Sequence, residues 1–244
     1  MDTPFATYDE LSGPDLDAAL WSPARLPLPS GEHVPLDPNA KLAVGESEVR
    51  VTIPRFSLSR DEFQSADSPK YLTFSTRDFG LSPDRPATFT VDLAVENIGG
   101  DPEDFRRGMA AFHVFELEVS KRVFAVCGTS TRVFALHEHL PLRGGGAGEP
   151  FQHVVESPYE RGLGRRFHPP SHMRDHARPG QLDRGLERRR SHGDEAHGTF
   201  IPERARIGSG IWTMLPIRDG RSRSLDGQGL SAQWRRFRVR GVDA

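Results

Sequence analysis

The residues able to do chemistry in this chain are few, and most sit in alternating, strand-like stretches. Glu116 and Glu118 fall two apart in the run 109–119 (MAAFHVFELEV). On a strand that spacing projects both carboxylates from one face. A retaining glycosidase needs such a pair, nucleophile and acid/base, about 5–5.5 Å apart, although a solvated strand face carrying two acids accounts for it equally. His113 lies in the same run, and His137 and His139 flank Glu138 further on. A His-x-His pair can begin a metal site, with His113 as a third nitrogen ligand from a neighbouring strand; period-two histidines at a strand end more commonly face solvent. Asp219 and Asp226, in the loop DGRSRSLDGQG, could offer oxygens to a structural calcium ion, or serve only as turn formers. Trp212, Phe115 and Arg132, with His113 and His137, could line a ligand-binding face. There rings would stack on sugars while Arg and Glu bond hydroxyls, although core Trp and Phe explain the aromatic residues as well. Cys127, the only cysteine, sits in an apolar alternating run and reads as a buried inert thiol.

These residues must be held by strands. Residues 48–53 (EVRVTI) alternate and stop at Pro54, 70–75 (KYLTFS) follow, and 87–96 (ATFTVDLAVE) place Phe89, Val91, Leu93 and Val95 on one face. The run 109–119 reads as strand because Phe112, Val114, Phe115 and Val119 are poor helix fillers. Residues 122–127 and 132–139 form a hairpin around Gly128-Thr129-Ser130-Thr131, and 151–156, 205–215 and 232–239 complete the set. LRGGGAGEP (142–150) is a surface loop and no phosphate cradle, because no Lys-Ser/Thr follows it. Short strands with Gly/Pro punctuation and no amphipathic helix or internal repeat predict an all-β sandwich of jelly-roll type. It is expected as one domain over 8–244, after a disordered tail at 1–7.

The formal charge of −2 supplies no field for nucleic acid or an anionic membrane. The arginines at 235, 236, 238 and 240 make the last strand basic but form no patch with interleaved aromatics. No apolar stretch approaches the roughly 20 residues that span a bilayer. With one cysteine and no basic n-region before an apolar run, the expected location is cytoplasmic. The oligomeric state is left open.

Residues 165–197 break the pattern. They hold eight Arg and five of the chain's ten His, with no Val, Ile or Thr. GC-rich coding DNA read out of register gives this composition. One permitted back-translation, read one base later, is free of stops and contains the strand-like strings CEITL and STVVWSV and an Asp-Gly turn. A compensated pair of frameshifts near Gly164 and Gly198 is therefore expected, and the block itself should be irregular. A genuine basic insertion fits the same composition, and sequencing codons 160–200 separates the two.

The opening run Tyr8-Asp9-Glu10-Leu11-Ser12-Gly13, then Leu16-Asp17 and Leu20-Trp21, resembles the start of concanavalin A-like jelly rolls such as laminarinase-type glycoside hydrolases. In those a pattern DDF-(S/N)-G-x-x-LD-x-x-x-W packs the first strand against the last. Gly108-Met109-Ala110-Ala111-Phe112-His113 resembles the strand before their active site, and the shifted reading's WSVDG resembles a common turn of theirs. The resemblance implies the fold and suggests an uncharacterised bacterial family. It does not carry over the catalytic acids: the hydrolases place E-x-D-x-x-E after the Ala-Phe strand, and residues 121–127 here (KRVFAVC) contain no acid.

Three functions are expected to compete. The first is a non-catalytic module binding a carbohydrate or similar polyhydroxylated ligand on a concave sheet face. The second is an intracellular β-fold enzyme acting on a small hydrophobic metabolite, with His113, His137 or Glu116 as general acid/base. Glycoside hydrolysis is the third, and requires Glu116 and Glu118 to converge. No cofactor is expected beyond a possible structural calcium. A closed apolar setting for His113 favours the second ligand class, and an open groove beside Trp212 and Phe115 the first.

Overall fold

A computed structural model describes residues 4–28, 31–59, 69–82, 84–140, 151–156, 175–177, 202–219 and 221–243. In chain order the strands are β1 (Ala6–Asp9), β2 (Trp21–Pro23), β3 (Leu26–Leu28), β4 (Gly31–His33), β5 (Lys41–Gly45), β6 (Glu48–Ile53), β7 (Pro69–Ser75) and β8 (Phe79–Gly80). They continue with β9 (Ala87–Ile98), β10 (Met109–Glu116), β11 (Arg122–Gly128), β12 (Val133–His139), β13 (Phe151–Glu156), β14 (Asp175–Ala177), β15 (Arg204–Trp212) and β16 (Gly229–Arg240). The protein is an all-β sandwich of two antiparallel sheets. One runs β14-β9-β16-β6-β5 with β1 also on β16; the other runs β13-β12-β11-β10-β15-β7-β2 with β8 on β15, and β3 and β4 pair as a separate two-stranded hairpin. No helix among the described residues is long and apolar enough to cross a membrane.

Period-two patterning builds the core. Val49, Val51 and Ile53 of β6 and Leu230, Ala232 and Trp234 of β16 face Ala110, Phe112 and Val114 of β10. Ile207 and Ile211 of β15 join them, all buried. At roughly 1.5–3 kcal/mol for each large apolar side chain removed from water, this layer dominates the favourable side of folding.

The opening motif fastens the two sheets at one end. β1 pairs with β16, first strand against last. Trp21, on β2 of the other sheet, donates its indole N–H to Asp9 Oδ2 at 2.7 Å. Its ring meets Tyr8 edge-on at 5.1 Å and Phe237 at 4.9 Å, while Tyr8 Oη donates to Leu20 O at 2.5 Å. β1 starts at Ala6, inside the span expected to be a disordered tail.

One element differs in a way that matters for function. The strand expected over 109–119 ends at Glu116. There the Glu116 carboxylate accepts backbone N–H groups of Glu118 (2.6 Å), Val119 (2.8 Å) and Ser120, which closes a turn. Lys121 sits in the left-handed region (φ 53°) and donates Nζ to Leu117 O and Glu118 O. Within the anomalous block only Asp175–Ala177 are described, paired with Phe89–Ala87 of β9. The rest of 165–197, and both proposed frameshift points, lie outside the described residues, as does the loop 142–150.

Candidate functional site

Register decides which side chains meet. His113 pairs with Ala125 and Ala125 with Leu136, whereas Val114 pairs with Phe124 and Phe124 with His137. Val114 belongs to the core between the sheets. His113 therefore points to the outer face of the eight-stranded sheet, with Met109, Ala111 and Phe115, and His137 points to the opposite face. The same parity puts Leu72 and Phe74 of β7, and Gly208, Gly210 and Trp212 of β15, on the outer face with His113.

This outer face is apolar. Leu72, Phe74, Phe115 and Val123 form one buried cluster with Ala24 and Leu26, and Met109, Ala111, Ala125, Cys127, Phe134 and Leu136 contribute to a second. Trp212 packs against both, and Phe74 and Phe115 lie 4.1 Å apart ring to ring. The two glycines of β15 allow it. A Cβ at Gly210 would stand 2.9 Å from Trp212 Nε1 and 2.8 Å from Leu72 Cδ1, and one at Gly208 would stand 2.8 Å from Phe74 Cδ1. Their absence lets neighbouring side chains lean across the strand.

His113 is 2% exposed, and Glu138, which pairs with Val123 on the same face, is buried as well. The His113 Nε2 accepts the Trp212 indole N–H at 2.9 Å, with the rings 5.1 Å apart. Burial pushes its pKa down to about 3, so the imidazole is neutral at pH 7. With Nε2 accepting, the ring proton belongs on Nδ1. Nδ1 is buried and has no hydrogen-bond partner among the described residues.

Of the residues expected to carry function, His113, Phe115 and Trp212 come together. Arg132 lies beyond the strands, in the turn between β11 and β12, and donates to Glu103 O at 2.8 Å. His137 stacks on Phe124 at 4.3 Å, with His153 edge-on at 6.4 Å. Burial first, then the charges of Arg122, His153 and His139, push its pKa down to about 4. Facing the other side of the sheet, His113 does not complete a metal site with His137 and His139. No group of three or more His, Cys, Asp or Glu among the described residues is placed to hold a metal. Asp226 pairs with Arg107, and Asp219 occupies the left-handed region (φ 53°) in the turn bridged by Arg218 and Arg221.

Glu116 and Glu118 do not form the expected pair, because Glu118 lies past the strand end and is exposed. Burial pulls the Glu116 pKa upward, but hydrogen bonds from Ser120, Val119 and Glu118 hold it below the usual carboxylate range. Sequence reasoning also missed a polar anchor. Asp37 accepts from Asn39, Ser57 and Leu58, and the fully buried Lys70 donates Nζ to Leu58 O (2.5 Å) and Ser224 Oγ (2.7 Å). These bonds fix the segment after β6 to β7. A signal for the outer face was present in ARIGSGIW: two glycines two apart in a strand mark close approach.

Residues 15–160, more than half of the chain, match a family described as "Family of unknown function (DUF6081)". No curated protein and no solved structure matches the chain.

Proposed function

The chain belongs to DUF6081, a family of unknown function, and we propose that it is a jelly-roll module binding a small molecule on the outer face of its eight-stranded sheet. In this reading it has no glycosidase activity. The observation that carries it is His113, 2% exposed, with one ring nitrogen bonded to Trp212 and the other without a partner among the described residues. Leaving a buried N–H unpaired costs about 1–3 kcal/mol. An acceptor brought by a bound molecule recovers that cost.

Of the two ligand classes expected, a small, largely apolar molecule fits better than a polyhydroxylated one. The buried clusters around His113 are made of aliphatic, aromatic and sulfur side chains. Sugar hydroxyls placed among them would lose their hydrogen bonds to water without replacement. Binding fits better than catalysis, because a neutral imidazole with a depressed pKa is a hydrogen-bond donor and a poor base. The engagement of Glu116 in its own turn argues against hydrolysis. The pairing of β1 with β16 and the Asp9–Trp21 bond support the likeness to concanavalin A-like domains, since they do what that resemblance assigns to the opening motif.

A thermal-shift screen tests the reading. One panel holds small apolar molecules bearing a hydrogen-bond acceptor and the other holds β-glucan oligosaccharides, each run on the native protein and on His113→Phe. Stabilisation by the first panel that disappears in the variant is expected. Stabilisation by the oligosaccharides alone replaces the apolar class with the sugar class, and none from either panel removes the binding reading.

A further inference from the structure

β16 carries arginines at 235, 236, 238 and 240, and a bulge decides where the last two point. Leu230, Ala232 and Trp234 alternate into the core, and unbroken alternation would send Arg238 and Arg240 after them. The pairing with β9 instead shifts between Arg235 and Arg238, and Arg236 takes up the extra residue in the left-handed region (φ 54°). Phe237 and Val239 then face the core. Arg238 and Arg240 stand on the outer face of the six-stranded sheet, on the side of the sandwich away from His113.

The acids nearby are taken by other arginines. Glu48 pairs with Arg50 and Arg235, Asp92 with Arg236, and Asp243 with Arg85. Arg238 forms no hydrogen bond or ion pair with any described residue, and its Nε is buried without a partner. The terminal nitrogens of this half-buried side chain reach solvent. Its register partners are threonines, the exposed Thr7 of β1 and the half-buried Thr90 of β9. The Phe5 ring lies over it, 5.7 Å from the guanidinium carbon, and over Arg240 at 4.6 Å. A ring face attracts a cation and fixes its plane, but it cannot accept the paired N–H groups of the fork.

We propose that Arg238 anchors a site for a small oxyanion, a phosphoryl or carboxylate group, on this outer face. The oxyanion takes two parallel N–H bonds from the terminal nitrogens and a third from the Thr7 hydroxyl. Phe5 is the positioning residue that holds the guanidinium plane, and Arg240 sets a second cation beside it. The site is independent of the His113 reading.

The test uses the full chain labelled with 15N. Arginine Nε–H signals are followed while sodium phosphate or sodium acetate replaces sodium chloride at constant ionic strength, and Arg238→Lys identifies the Arg238 signal by its loss. A saturable shift of that signal is expected, and the tighter of the two anions names the group. Arg25 and Arg204, exposed elsewhere on the surface, should not follow it. Arg238→Lys keeps the charge but lacks the fork. Read from the amide signals of Thr7 and Thr90, it should bind about tenfold more weakly. Thr7→Val, at an exposed position, should weaken binding severalfold in the same assay. Equal binding by Arg238→Lys overturns recognition by the fork. Shifts shared by all exposed arginines mean ionic screening only and overturn the site, as does the lack of a saturable shift with either anion.

Discussion

Acidification should destabilise this protein well above the range in which its carboxylates protonate, and His113 should be the main reason. In the folded state burial holds His113 neutral with a pKa near 3, against an ordinary value of 6.5. The unfolded chain binds a proton below 6.5 that the folded chain refuses. The stability His113 contributes is therefore complete above pH 6.5 and is lost as pH falls toward 3. One such group approaches a slope of about 1.4 kcal/mol per pH unit below 6.5, so roughly 2 kcal/mol is lost between pH 6.5 and about 4.5. A domain stable by roughly 5–15 kcal/mol feels that loss. His137, less deeply buried and pushed down to about 4, adds a smaller loss of the same sign. Asp37 and Glu116, held below the usual carboxylate range by hydrogen bonds despite burial, add theirs at lower pH. The assay is urea unfolding followed by tryptophan fluorescence at a series of pH values, for the native protein and His113→Phe. The variant should keep most of its stability between pH 6.5 and about 4.5 where the native protein loses it. Parallel curves for the two proteins would refute the buried, neutral assignment of His113.

Three further outcomes test the fold and the site. Trp21→Phe keeps an aromatic ring but removes the N–H that reaches Asp9, and should lower the unfolding free energy by about 1–3 kcal/mol; Trp21→Ala should cost about 3–5 kcal/mol. Gly210→Ala places a methyl 2.9 Å from Trp212 Nε1 and 2.8 Å from Tyr71 O. It should destabilise by about 1–3 kcal/mol and change the emission of Trp212. Glu116→Gln removes the charge that gathers three backbone N–H groups and should cost about 1–2 kcal/mol in unfolding experiments. Neither it nor the native protein should hydrolyse β-glucan, and turnover by the native protein that this variant abolishes would restore the hydrolase reading.

The strand pattern was legible where burial is one-sided. β6 (Glu48–Ile53) runs over the same residues as its alternation, and the β11–β12 hairpin turns where Gly128 and Thr129 suggested. The short strands β2 to β4 were not legible, because three-residue pairings such as Trp21–Pro23 on β7 are made by tertiary contact and carry no periodicity of their own. The site was half legible for a related reason. His113 and His137 both occupy alternating apolar runs, and only the pairing of Val114 with Phe124 and of Phe124 with His137 tells which of them faces the core side. Glu118 was misplaced because the alternation of FELEV continues past the point where Glu116 ends its own strand with a turn. Gly208 and Gly210, which look like a weakness in a strand, are what allows Leu72, Phe74 and Trp212 to close over β15.

The central claim is that a small molecule binds beside His113 on the outer face of the eight-stranded sheet. Backbone amide shift mapping with the most strongly stabilising compound of the screen tests it most directly. Perturbations confined to His113, Phe115, Ala125 and Trp212 are predicted. Perturbations gathered on the opposite face, at Val114, Phe124 and His137, would contradict it.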